Sequence, residues 1–351
     1  MRPTLQTVAD AVGVSRSTVS NAYSRPDQLS TDLRDRILSA ARDLGYAGPN
    51  PTARSLRRGR AGAIGVLFTT GLSYAFSDPY AVQFLRGLAE SVERHDTGML
   101  LIPMSNTDEE ASARAVADAV VDGFCVYCVP EWHASLAAMR DRQLPVVTTE
   151  IRDDHRGDEI QVGIAERPAM AAAARHLHAL GHRDVAVLIA DMAPATAAGP
   201  LRVDSPDAIR YYVDRERAHG VAEVFPWAEV TLINAAGNSR GAGAAAAAHV
   251  LDRAERPTAI LACSDVLALG ALDAVAARGL RAGADISVTG FDDVPEAARA
   301  GLTSVRQPSV SKGALAGELL LENKRETADR RVLLPTELIV RASTGPAPSR
   351  S

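Results

Sequence analysis

Apolar residues near the start of the chain fall at Leu5, Val8, Ala9 and Val12, the spacing of one helical face. Gly13 breaks that run, and Ser15 stands where it can cap a second helix, from Arg16 to about Tyr23, through the amide of Thr18. Val14 and Val19 then face inward, and Ala9 is small where two helices must cross closely. Ser30 or Thr31 opens a third helix with Leu33, Ile37, Ala40, Ala41 and Leu44 on its apolar side and Gly45 at its end. Residues 1–48 therefore read as helix, tight turn, helix, closed by a covering third helix. Residues 49–60 carry Pro49, Pro51 and a short ARSLRR run and read as a hinge helix and linker. A helix this short is marginal alone and needs DNA or a partner chain to order it.

From residue 61 to 341 the period changes. AIGVLF, MLLIPM, GFCVYCV and LPVVTTE read as strands, separated by helices near 79–95, 109–121 and 134–142. The alternation resumes with helix 166–180, then DVAVLIA, EVTLINA, TAILACS and DISVTGF, separated by helices near 214–224, 241–253 and 265–278. RRVLLPTELIVRAS supplies two closing strands. The expected fold class is α/β: an all-helical headpiece followed by two lobes with parallel sheets, making a hinged cleft. Residues 342–351, ending in GPAPSRS, read as a flexible tail.

Composition sharpens this picture at three points. The net charge is −5, yet residues 1–60 hold ten Arg against five Asp, leaving an acidic remainder. A basic end on an acidic body suits a terminal nucleic-acid module. Cys125, Cys128 and Cys263 build no disulfide framework, and the Cys125–Cys128 pair has no second pair or His cluster to complete a metal site, so core packing is expected. No long apolar run, export signal or catalytic motif of the GxSxG, HExxH or phosphate-loop kind is present. The expectations are a cytoplasmic, non-enzymatic protein with no cofactor and no membrane partner.

The second helix presents Arg16, Ser17, Thr18 and Asn21 at a polar face able to enter a major groove. Arg16 suits guanine edges; Asn21 suits adenine or a phosphate. A small solvated hairpin is the competing reading. In the linker, Leu56 is an apolar wedge among Arg54, Arg57, Arg58 and Arg60, a composition for minor-groove entry or for an ordinary basic linker.

The run LQTVADAVGVSRSTVSNAYSRPDQLSTDLRDRILSAARDLGYAGPNPTARSLRR closely resembles the headpiece and hinge of the LacI/GalR family of bacterial regulators. ARHLHALGHRDVAVL, AILACSDVLALGALDAVAARGLRAGADISVTGFDDVP and LTSVRQPSVSKGALAGELLL resemble the same family's effector-binding body. The resemblance implies a periplasmic-binding-protein type I fold. It also implies a homodimer on an approximately palindromic operator, probing base edges through Arg16, Ser17 and Asn21 and inserting Leu56. It makes the chain a sequence-specific regulator, by default a repressor, controlled by a small molecule.

For that effector the resemblance assigns Asp292 as the contacting acid, Arg217 as the arginine of an R-x-x-G motif, and Ser264 as a frequent ligand contact. Asp265 beside Ser264 reads as a helix cap, and Arg217 also reads as a surface salt bridge. Phe76, Asp78 and Tyr80, in the loop after the first strand, and Asn238 in GNSRG complete the candidate wall. A sugar or sugar derivative is the family's commonest effector, with a nucleoside-like metabolite next. Val221 after Gly220, and Ala165 in place of a frequent Asp, depart from the family pattern and leave open a regulator with no effector.

Overall fold

The computed structural model describes residues 3–48, 59–68, 71–105, 108–152, 159–190, 199–322 and 330–348. The chain separates into two compact units, residues 1–62 and 63–351.

In the first unit, α1 (Leu5–Val12) is capped by Thr4, whose hydroxyl accepts from Thr7 N, and ends at Gly13 with φ 73°. That left-handed turn residue lets the chain reverse without a Cβ clash. Ser15 caps α2 (Arg16–Ser24) through Thr18 N, and Ser30 caps α3 (Thr31–Asp43) through Leu33 N. Val8, Ala9, Val19, Ala22, Ile37 and Ala41 form the shared core, with Val12 and Val14 packed against it. The three helices of the sequence reading are all present.

The second unit is two sheets with helices on their faces. Its elements run β1 (Ala63–Phe68), α4 (Leu72–Ser77), α5 (Pro79–Arg94), β2 (Gly98–Pro103), α6 (Glu109–Asp118), β3 (Phe124–Tyr127), α7 (Ser135–Asp141), β4 (Val146–Thr148) and β5 (Ile160–Ile164). They continue through α8 (Glu166–Ala179), β6 (Val185–Ile189), β7 (Leu201–Val203), α9 (Tyr212–Ala222), β8 (Val230–Asn234), α10 (Arg240–Leu251), β9 (Ala259–Ala262), α11 (Asp265–Ala277) and β10 (Ser287–Asp292). The last are α12 (Pro295–Arg299), β11 (Thr303–Arg306), α13 (Ser309–Leu321), β12 (Arg331–Leu334) and β13 (Glu337–Ile339).

One sheet is ordered β12-β5-β4-β3-β1-β2 and the other β13-β11-β10-β9-β6-β8-β7. The first is parallel throughout; in the second only β7 and β13 run antiparallel. The chain crosses between lobes three times: after β5, after β11 and after β12. The two closing strands expected from the sequence therefore part company, one completing each sheet.

Helix α13 follows a second-lobe strand but packs in the first lobe against α5. A Cβ on Gly87 would overlap Val310 O, and one on Gly313 would overlap Phe84 O, so both glycines are needed for the helices to cross this closely.

The end of the chain departs from the sequence reading. Ser343 is buried, its hydroxyl donating to Val288 O at 2.6 Å and accepting from Thr303 N at 2.8 Å. Ala347 N reaches Leu180 O at 2.8 Å. Residues 342–348 lie against the second lobe because its strand-end backbone groups find their partners there, whereas Pro and Gly content alone reads as a tail. Among the described residues, no helix is long and apolar enough to cross a membrane.

Candidate functional site

The core of each sheet follows the order 2-1-3-4-5, counting from β1 in one lobe and from β6 in the other. In such sheets the connections leave β1 and β3, or β6 and β9, in opposite directions, opening a crevice at the carboxyl ends of those strands. Residues at the ends of three of these strands, Tyr127 and Cys128 at β3, Ala190 after β6, and Cys263 and Ser264 after β9, line one common cavity. Its volume is about 70 Å³. Ligand pockets commonly enclose about 300–1,000 Å³, so the walls have to part to admit a metabolite.

The walls are bonded to one another. Asp78 caps α5, its Oδ1 accepting from Ala81 N at 2.8 Å, and its Oδ2 accepts from Asn238 Nδ2 at 3.3 Å. Asn238 Nδ2 also donates to Tyr74 Oη at 2.8 Å, while its Oδ1 accepts from Ser264 Oγ at 2.6 Å. Asn238 and Ser264 belong to the second lobe, Tyr74 and Asp78 to the first. Tyr80 Oη donates to Gln307 Oε1 at 3.0 Å, and Gln307 Nε2 donates to Asp292 Oδ1 at 2.6 Å. Farther along the cleft, Tyr211 Oη donates to Glu150 Oε1 at 3.1 Å and Tyr212 Oη to Ile151 O at 2.6 Å.

Arg217 is 7% exposed and turns inward from α9. Its Nε donates to Glu166 Oε2 at 2.8 Å, its Nη1 to Cys263 O at 2.5 Å, and its guanidinium lies 3.6 Å from the centroid of Phe291. Burial opposes its charge, but Glu166 and Asp292 outweigh that and hold it protonated, above the usual arginine range. It is therefore a buried ion-paired group and not a surface salt bridge. Asp292 has the opposite problem. Burial pushes its carboxyl well above the usual range; Arg217 pulls it back, and Asp265 and Asp78 push it further up. Its φ of 112° lies in a region that side-chain-bearing residues rarely occupy, as strained positions at functional sites do.

Burial also raises Asp78, and it pushes the Cys125 and Cys128 thiols up to about 12, so both stay protonated at neutral pH. This fits packing rather than thiol chemistry. Among the described residues no cluster of His, Cys, Asp or Glu is arranged to hold a metal.

Of the effector residues named from the sequence, Asp78, Tyr80, Arg217, Asn238, Ser264 and Asp292 all line the cavity. Phe76 does not: it is 67% exposed, because residues 72–77 form α4 rather than a loop and that helix turns Phe76 outward while Tyr74 takes the wall. Asp265 is not a helix cap. Ser264 caps α11 through Leu267 N, and Asp265 instead accepts from Val294 N and Ser304 Oγ at 2.8 and 2.6 Å, fixing the turn after β10. Tyr74, Tyr127, Tyr211, Asp214 and Gln307 also line the cavity and were not singled out. Only Asp214 carried a sequence signal, one turn before Arg217 on the same helix face.

In the headpiece, Arg16 and Ser17 are exposed at the start of α2, and Asn21 is half-buried with its Nδ2 3.5 Å from Gln28 Oε1. Thr18 is half-buried, its hydroxyl 2.8 Å from that of Ser15. Arg54, Leu56 and Arg57 lie outside the described residues.

A helix-turn-helix unit followed by a two-lobed α/β body with a polar cleft defines a class: a DNA-binding domain carried with a ligand-binding one. Residues 4–50 match the family model described as bacterial regulatory proteins, lacI family, and residues 174–344 match the periplasmic binding protein-like domain. An HTH-type transcriptional regulator of Mycolicibacterium smegmatis is 41% identical, the alignment covering 98% of this chain and 97% of that one. The HTH-type transcriptional regulator IpsA of Corynebacterium glutamicum is 41% identical over 91% of this chain and 90% of its own. The crystal structure of a LacI-family transcriptional regulator from Corynebacterium glutamicum superposes with a TM-score of 0.74 at 35% identity, covering 98% of this chain and 99% of that one. The chain belongs to the LacI family of bacterial transcriptional regulators. It is a DNA-binding regulator with an effector-binding body, as its resemblance implied, and not an enzyme.

Proposed function

We propose that the protein is a cytoplasmic homodimeric repressor that reads an approximately palindromic operator and is controlled by a neutral, polyhydroxylated metabolite, a sugar or sugar derivative, bound in the cleft. DNA contact is assigned to Arg16, Ser17, Thr18 and Asn21 on α2, with Arg54, Leu56 and Arg57 in the minor groove. The exposed first turn of α2 supports the first part, since that is the end a recognition helix presents to base edges.

One observation carries the effector class. The cleft gathers Asp78, Asp214 and Asp292 against a single arginine, Arg217, which Glu166 already pairs. A phosphate or carboxylate ligand would meet three acidic side chains and, among the described lining residues, no cation that is not already paired. Hydroxyls suit acidic and amide acceptors, and Tyr74, Tyr80, Tyr127 and Tyr211 offer apolar ring faces beside them.

The first experiment selects binding sites from randomised duplex DNA and then titrates the enriched operator complex with neutral monosaccharides and cyclic polyols, and separately with sugar phosphates and nucleosides. Release or tightening by a neutral polyol alone supports the assignment. Response only to phosphorylated ligands overturns it. A second reading, regulation without an effector, has its own support in the 70 Å³ cavity whose walls already satisfy one another; it predicts operator binding that no compound alters.

A further inference from the structure

Of the 38 lysines and arginines in this chain, only Lys312 and Lys324 are lysines. Surface ion pairs such as Arg86–Glu90 and Arg278–Asp252 use arginine. Lys312 differs in place as well as in kind: it is 3% exposed, on α13 inside the first lobe. An ammonium is a compact charge with three donors and no acceptor. Buried, it dictates the direction of the hydrogen bonds it enters.

Lys312 Nζ donates to Tyr80 Oη at 3.2 Å. Tyr80 accepts there, so its one hydrogen passes to Gln307 Oε1 at 3.0 Å. That settles which end of Gln307 faces which neighbour, a choice amide shape leaves open. Its carbonyl faces Tyr80, and Nε2 donates to Asp292 Oδ1 at 2.6 Å. The line starts on α13 and α5 in the first lobe, passes through the crossing after β11, and ends on β10 in the second. Donation to a carboxylate favours its charged form.

The geometry points to Lys312 as a positioning residue for effector recognition: through Tyr80 and Gln307 it holds Asp292 on the cleft wall as an ionised group that only accepts hydrogen bonds. This rests on the cleft being the effector site. Asp292 needs such support. It is buried, faces Asp78 from the cap of α5 and Asp265 from α11, and shares its cationic neighbour on α9, Arg217, with Glu166. Without the ammonium, Tyr80 and Gln307 can reverse, and Gln307 then offers its carbonyl to a protonated Asp292. A ligand hydroxyl would lose its accepting partner.

The test needs no effector. Thermal unfolding of the full chain is followed from about pH 5.5 to about pH 8 for the wild type and Lys312→Met, and for both on an Asp292→Asn background. As pH falls and Asp292 takes up its proton in both proteins, the Tm deficit of Lys312→Met shrinks to what the lysine contributes apart from Asp292, its packing and its bond to Tyr80. As pH rises, the unsupported Asp292 ionises at a higher pH and at greater cost, so the deficit widens. On the Asp292→Asn background it stays constant, while Asp78, Asp265, Arg217 and Glu166 are unchanged. Gln307→Met cuts the same line one step closer to Asp292 and gives the same pattern if Lys312→Met does not fold. A deficit equal at every pH, or one that widens equally on the Asp292→Asn background, overturns the proposal. No effector enters the measurement, so a flat profile leaves the cleft assignment standing, and a failed sugar titration leaves this result standing.

Discussion

Replacing Arg217 with Met separates what this residue does for the fold from what it does for a ligand. Arg217 and Glu166 are 7% and 6% exposed, and their 2.8 Å contact is the buried one of the ion pairs that join α9 to the start of α8, the half-exposed Arg167–Glu216 pair being another. The substitution keeps most of the side-chain volume but strands the Glu166 carboxylate, removes the donor to Cys263 O and lifts the charge from the face of Phe291. Breaking one side of a buried pair costs about 3–5 kcal/mol, because the remaining charge stays desolvated without compensation. We expect a loss near 4 kcal/mol in equilibrium urea unfolding. Fluorescence of Trp132 and Trp227, the chain's two tryptophans, reports on the body, as the headpiece has none. Adding Glu166→Gln removes the stranded charge and is expected to restore more than half of the loss. A single variant that loses less than about 1 kcal/mol, or a double variant no more stable than the single, refutes the buried-pair reasoning. The double variant is also the sound background for measuring effector affinity, since Arg217→Met alone mixes lost contact with lost stability.

Three further outcomes are expected. Arg16→Ala or Asn21→Ala costs about 1–3 kcal/mol on the selected operator and relaxes preference at the contacted position; competition against random DNA checks this, and equal losses on both would remove the base contact. Gly87→Ala forces α5 away from α13 and costs about 1–3 kcal/mol or more by overpacking, while Ala at Gly13 in the headpiece leaves the body's urea midpoint unchanged. Glu150, pushed up to about 7 chiefly by burial and partly restrained by Arg152, binds more protons folded than unfolded. Its contribution is therefore full below the unfolded glutamate pKa and is lost as pH rises through about 7; Glu150→Gln removes that slope from a stability–pH profile, and an unchanged slope assigns it elsewhere.

How much was legible beforehand follows from the range of each interaction. Ser15 and Ser30 cap helices through amides three residues away, so local sequence suffices to place them. Phe76 shows the limit. An aromatic after a strand suggests a cleft wall, but one extra turn of helix swings it into solvent and gives the place to Tyr74, two residues earlier. Tyr211 and Gln307 carry no local mark. Each matters because a chain crossing or a lobe contact brings it against a residue remote in sequence.

By itself the sequence determined the helix-turn-helix headpiece, the alternation of strand and helix in the body, the family, and six of the sixteen residues that line the cleft. These depend on periodicity, caps and motif spacing, which neighbouring residues carry. Tertiary structure decided the rest. Three crossings set the two switch points face to face, α13 returned to the first lobe through glycines that allow close approach, and residues 342–348 found partners at the starts of β10 and β11 and just after α8. The contact between Tyr80 and Gln307 spans 227 positions. A hydrogen bond of that reach exists only after both lobes have folded, and so the polarity of the cleft was a property of the packed chain before it was a property of any segment.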